Sequence, residues 1–132
     1  MTNQELINLA IEAKKNAMSP TNYHVGAAIL TTNGEVYTGC NLGSQDGIFN
    51  ICAERVAVCK MLSDGKKSFS KIAVVGGLGD ELTFTIPCGV CRQLIFEFGR
   101  DIEVILGYKD EEGKIVEKVQ KISELLPSGF SM

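Results

Sequence analysis

Two short cysteine segments constrain this chain most: Cys52-Ala53-Glu54 and Pro87-Cys88-Gly89-Val90-Cys91. Each opens a stretch of helical character, about Ile51 to Leu62 in the first case and Gly89 to Phe98 in the second. Residues three apart in the first turn of a helix lie on one side of it, so the sulfurs of Cys88 and Cys91 can point to one spot. A fold that gathers all three cysteines must bring two helix N-termini together. The free amides and aligned peptide dipoles there favour negative charge and lower a thiol's pKa. His24 is the only histidine, so a zinc centre in this chain has to be rich in thiolate.

The remaining pattern is that of an α/β protein. Thr2-Asn3-Gln4-Glu5 reads as a capping box, and Leu6, Ile7, Leu9, Ala10, Ala13 and Ala17 recur at helical spacing until Ser19-Pro20. Val25 to Thr31 and Glu35 to Gly39 read as strands joined by a two-residue Asn33-Gly34 turn. A loop with two glycines, Asn41 to Asn50, leads to the first cysteine helix. Ile72 to Val75, broken by Gly76-Gly77, and Ile102 to Leu106 read as buried strands. Lys114 to Val119 reads as an edge strand and Ser123 to Leu126 as a helical turn. This order implies a single domain over residues 1–132, a three-layer α/β/α sandwich around a mixed five-stranded sheet.

Charge and composition narrow the function. The net charge is −3 with no basic stripe, so no nucleic-acid partner is expected. No apolar run approaches the roughly 20 residues of a bilayer span, and the N-terminus has no signal-peptide pattern; the expected location is the cytoplasm, without membrane association. The odd count of five cysteines in a reducing compartment points to metal or catalysis rather than disulfides.

Three thiolates on zinc leave a fourth position for water, which the metal acidifies. Glu54, two residues after Cys52, is placed to contact that water as general base and then general acid. Arg55 follows and can offset the excess charge of three thiolates by donating to their sulfurs, the alternative being a surface ion pair. A closed structural zinc site would need a fourth ligand. Cys59 lies roughly 10 Å along the helix from Cys52; Cys40 ends a strand; His24 sits beside a strand start. Cys40 and Cys59 are read as ordinary buried thiols and His24 as a satisfied or surface histidine. Arg92 and Gln93 are given structural roles only.

The pair C-x-E and P-C-x-x-C is the three-cysteine form of the zinc deaminase signature. Together with Val25-Gly26-Ala27-Ala28, Gly39-Cys40-Asn41, Arg92-Gln93 and Glu124-Leu125-Leu126-Pro127, it resembles the small three-cysteine branch of the cytidine deaminase family over nearly the whole chain. The resemblance implies hydrolytic deamination of cytidine or deoxycytidine in pyrimidine salvage. It implies one zinc ion per subunit on Cys52, Cys88 and Cys91, with Glu54 as proton shuttle and Arg55 as thiolate partner. It implies a homotetramer with shared active sites. Tyr23, Asn41 and Ala53 fall at substrate-binding positions, and Phe130 falls where a C-terminal aromatic reaches the base in a neighbouring subunit. One departure stands out. Where the family grips the ribose with N-x-E, this chain reads Asn41-Leu42-Gly43; Asp46 is a candidate replacement for the missing carboxylate. Blasticidin S deaminases, a related branch, also lack that glutamate and end in a run like Glu124 to Phe130. This leaves three readings: a nucleoside deaminase, a deaminase of a modified cytosine such as blasticidin S, and a non-catalytic zinc-stabilised nucleoside-binding protein.

Overall fold

Alternating apolar segments assemble into one sheet in the computed structural model, which describes residues 1–132. The elements are α1 (Asn3–Lys14), β1 (Tyr23–Thr31), β2 (Val36–Cys40), α2 (Ala53–Ser63), β3 (Phe69–Leu78), α3 (Gly89–Phe98), β4 (Glu103–Lys109), β5 (Ile115–Lys121) and α4 (Ile122–Leu125). The strand order is β2-β1-β3-β4-β5. β3 and β4 are parallel and the other neighbours antiparallel, which makes the sheet mixed, as expected.

Strand side chains alternate between faces, and each face has its own core. Ala28, Ala73, Val75 and Ile105 pack with Leu6, Ile7 and Ala10 of α1. On the other face Ala27, Ile29, Ile72, Val74, Val104 and Leu106 pack with α2, α3 and α4. Hence the three layers. Two glycines let helices sit close to the sheet. A Cβ on Gly26 would meet Ala10 O at 2.0 Å, and one on Gly39 would meet Ala53 O and Ala57 N at 2.6 Å. The second contact seats the start of α2, and so Cys52, against the exit of β2.

Several boundaries differ from the sequence reading. The capping box forms, but α1 ends at Lys14 rather than at Ser19-Pro20. Met18 instead pairs with the chain leaving β2: its N–H donates to Asn41 O at 3.1 Å and its carbonyl accepts from Gly43 N at 2.7 Å. β3 does not break at Gly76-Gly77, because β1 pairs with it as far as Leu78 opposite Tyr23. The hairpin loop is longer than two residues. Only Gly34 has a positive φ, of 89°, and Thr31 N donates to Glu35 O at 2.8 Å, so Thr32, Asn33 and Gly34 form a three-residue loop. Cys59 is exposed rather than buried. The inward face of α2 is Ala53, Glu54, Ala57, Val58 and Met61, and position 59 falls outside that stripe.

Candidate active site

The cysteines stand where the chain turns into helices. Cys52 is the N-cap of α2 and Cys88 the N-cap of α3, both with extended backbone; Cys91 lies in the first turn of α3. Neither N-cap side chain bonds its own helix amides, so both sulfurs are available elsewhere. They turn to one another: the three Sγ atoms lie within 4.8 Å of one another, and Cys52 and Cys88 are 3.7 Å apart. Tetrahedral zinc with Zn–S bonds of about 2.3 Å separates its sulfurs by about 3.8 Å. The donor set therefore fits zinc, and no fourth protein ligand joins it. Cys40 stands at the end of β2, where burial pushes its thiol up. His24 alternates with Tyr23 and Val25 along β1 and faces a different hollow, beside Lys14 and Lys109.

The thiols are electrostatically unequal. Cys52 is lowered to about 5, first by the Cys91 thiol hydrogen-bonded to it and then by Arg55 and Cys88, against an opposing effect of burial. Cys91, fully buried, is pushed up by the same bond and by burial. Arg55 Nη2 donates to Cys52 Sγ at 3.7 Å, and that thiolate raises the arginine's own pKa. Arg55 therefore faces the sulfurs rather than pairing with a surface acid. Glu54, on the buried face of the first turn of α2, is 3% exposed. Burial pushes its carboxyl up to about 7, reinforced by the charge on Cys52 and opposed by hydrogen bonds from its own backbone amide and Cys91.

A cleft of about 510 Å³ opens onto Glu54, Cys52 and Cys88, and Tyr23, Asn41 and Ala53 line it too. Tyr23 shares a hydrogen bond of 2.7 Å with Thr85. Asn41 braces the start of β1: Oδ1 accepts from Val25 N at 2.8 Å and Nδ2 donates to Tyr23 O at 3.0 Å. One N–H of that amide is left for a ligand. Ala53 is completely buried and offers backbone at the mouth of α2. Phe130 is not brought to this cleft within its own chain. It is 66% exposed and borders a separate hollow with Phe96 and Arg100. Asp46 is absent from the cleft wall.

Gln93 and Arg92, read from the sequence as structural, make backbone contacts around the site. Gln93 holds the backbone of Phe130 on both sides, Nε2 to its carbonyl at 2.9 Å and Oε1 from its N–H at 3.3 Å. Arg92 donates from Nε to Pro87 O at 2.8 Å and from Nη1 to Leu125 O at 3.4 Å, fixing the turn that presents Cys88. Ser19 to Thr21 and Phe84 to Ile86 complete the walls. The sole sequence signal for either segment is its neighbouring proline.

Comparison with known proteins agrees with this arrangement. Residues 1–107 match the family model described as the cytidine and deoxycytidylate deaminase zinc-binding region. A probable cytidine deaminase from Dictyostelium discoideum is 38% identical, across 98% of this chain and 86% of the relative. A blasticidin-S deaminase from Bacillus cereus is 34% identical, across 96% and 91%. The crystal structure of cytidine deaminase from Burkholderia pseudomallei superposes with a TM-score of 0.84 at 36% identity, covering 98% of this chain and all of that one. With the family match spanning well over half of its residues and the likeness to relatives nearly all of them, the chain belongs to the cytidine and deoxycytidylate deaminase family.

Proposed function

We propose that this protein is a zinc hydrolase that converts cytidine or deoxycytidine to uridine or deoxyuridine and ammonia, a step of cytoplasmic pyrimidine salvage. The observation that carries the reading is the meeting of Cys52, Cys88 and Cys91 beside a carboxyl as deeply buried as Glu54. Bound to the three sulfurs, zinc supplies the Lewis acidity that makes water nucleophilic at neutral pH. Glu54 takes a proton from the attacking water and returns it to the ring nitrogen next to the amino-bearing carbon. It then carries the second water proton to the exocyclic nitrogen, so that ammonia leaves as the ring carbonyl forms. A carboxyl with a pKa near 7 suits both directions of transfer. Arg55 stabilises Cys52 as thiolate. Tyr23, Asn41 and the backbone at Ala53 hold the base against Glu54.

Exposed apolar side chains support a homotetramer with shared sites. Phe84 and Ile86 line the cleft, with Ile48, Phe49 and Val90 exposed in the segments beside it; such a patch marks an interface. Phe130, held outward by Gln93, is then the residue that a neighbouring subunit receives. A second reading, deamination of a modified cytosine such as blasticidin S, is favoured by Gly43, which brings no carboxylate to the cleft, and by the blasticidin-S deaminase relative. A non-catalytic binding role would leave Glu54 buried without purpose, at a cost in stability.

The test is ultraviolet-monitored deamination by the zinc-loaded protein on cytidine, deoxycytidine, cytosine and blasticidin S. Turnover of the first two supports the main reading. Turnover of blasticidin S alone supports the second, and no turnover on any of them overturns both.

A further inference from the structure

After β2 the chain runs Asn41-Leu42-Gly43 antiparallel to Asn50-Ile51-Cys52, joined by Leu42 N to Ile51 O at 3.0 Å and Ile51 N to Leu42 O at 2.9 Å. This register sets Asn41 across from Cys52 and Gly43 across from Asn50. Asn50 lies two extended residues, about 7 Å, from the backbone of Cys52, and it lines the same cleft. A cytosine ring with its amino group at the sulfurs presents the substituent on its far ring nitrogen toward that end.

The Asn50 side chain occupies the space next to Gly43. A Cβ on Gly43 would lie 2.8 Å from Asn50 Oδ1 and 3.4 Å from Pro20 Cδ, so a side chain at 43 and the observed Asn50 exclude each other. The backbone N–H of Ser44 donates to Asn50 Oδ1 at 3.3 Å. That donor assigns the oxygen to its side of the amide and leaves the Nδ2 hydrogens, which meet no protein acceptor, for a ligand. The loop holding Asn50 is closed by its own side chains. Asp46 Oδ1 accepts from Ser44 Oγ at 2.6 Å and from Ile48 N at 3.1 Å, and Ser44 Oγ accepts from Phe49 N at 3.2 Å. Asp46 thus works inside the loop. The only charged side chains lining the cleft, Glu54 and Arg55, are at the sulfur end.

We propose that Asn50 is the specificity-determining residue for the substituent on the ring nitrogen: its Nδ2 donates to an acceptor oxygen of that group, at a cleft end with no carboxylate to receive sugar hydroxyls. The inference rests on the deaminase reading above. It makes the enzyme tolerant of missing sugar hydroxyls and demanding of an acceptor oxygen on the substituent.

The experiment compares cytidine, 2′,3′-dideoxycytidine and 1-methylcytosine, by kcat/KM and by calorimetric affinity, on the zinc-loaded wild type and on Asn50→Asp, Asn50→Ala and Gly43→Ala. Ratios between substrates within one variant cancel any common loss of folded protein. The wild type should separate cytidine from dideoxycytidine by less than about tenfold, a single ordinary hydrogen bond. Asn50→Asp turns the donor into a charged acceptor and should raise that ratio by about tenfold or more. Asn50→Ala should lower cytidine relative to 1-methylcytosine, and Gly43→Ala should do the same by displacing Asn50. Ratios that stay constant across all four proteins overturn the assignment. A wild type that binds these compounds without turning them over overturns the deaminase reading instead, and the affinity ratios then judge Asn50 alone.

Discussion

Replacing Glu54 with Gln should trade chemistry for stability. The substitution keeps the shape of the side chain and removes its titratable proton. In the native protein, burial holds the Glu54 carboxyl at about 7 against an ordinary value of 4.5. At about 1.4 kcal/mol per pH unit, the gap corresponds to about 3 kcal/mol. The sign follows from proton binding. Between these two values the folded state holds a proton that the unfolded state has released, so stability is complete below pH 4.5 and falls as the pH rises through about 7. Gln mimics the protonated form at every pH. Metal-free Glu54→Gln should therefore melt with the wild type near pH 4.5 and above it at pH 8, by up to about 3 kcal/mol, or roughly 10 °C for a domain of this size. The assay is a thermal or urea melt of both chelated, reduced proteins across that range, paired with deamination by the zinc-loaded forms. Turnover should drop by about 10²–10⁴ for loss of a proton-transfer group. A stability difference that does not vary with pH would refute the buried, proton-retaining carboxyl. Full-rate turnover by the variant would remove Glu54 from the chemistry.

Three further outcomes follow from the geometry. Cys88→Ala removes one of three sulfurs and should purify with well under one zinc per chain; full metal content by atomic absorption would overturn the ligand set. Gly39→Ala places a methyl group 2.6 Å from backbone atoms of α2, so α2 must shift, with a loss of about 1–3 kcal/mol in denaturant melts and reduced turnover as Cys52 moves. If Phe130 completes a neighbour's site, Glu54→Gln and Phe130→Ala should each be weak alone. Mixed assemblies should then regain activity, because a subunit with Glu54 can sit beside one with Phe130; no recovery in co-refolded mixtures would exclude sharing through that residue.

The candidate metal ligands were readable in the sequence because each half of the cluster is local. Cys88 and Cys91 share one helix start, Glu54 and Arg55 follow Cys52, and helical periodicity alone says which side each residue takes. The layers were readable for a similar reason, since the continuous apolar runs of β1, β3 and β4 demand cover on both faces. Boundaries failed where a distant partner decided them. α1 ends early because Met18 pairs with the chain leaving β2, and Gly76-Gly77 stay in β3 because β1 supplies hydrogen bonds to them. Cys59 is exposed because packing chose the α2 face that carries Ala57 and Met61.

By itself the sequence determined the α/β class and singled out Cys52, Cys88, Cys91 and Glu54 as candidates, through the order of its apolar segments and the spacing of residues at two helix starts. Only the tertiary structure decided that Cys52 and Cys88 come within 3.7 Å, that burial lifts Glu54, that Asp46 turns into its own loop and that Asn50 fills the space beside Gly43. These depend on which segments the sheet brings together, and contact distance and desolvation are set by neighbours remote in the chain.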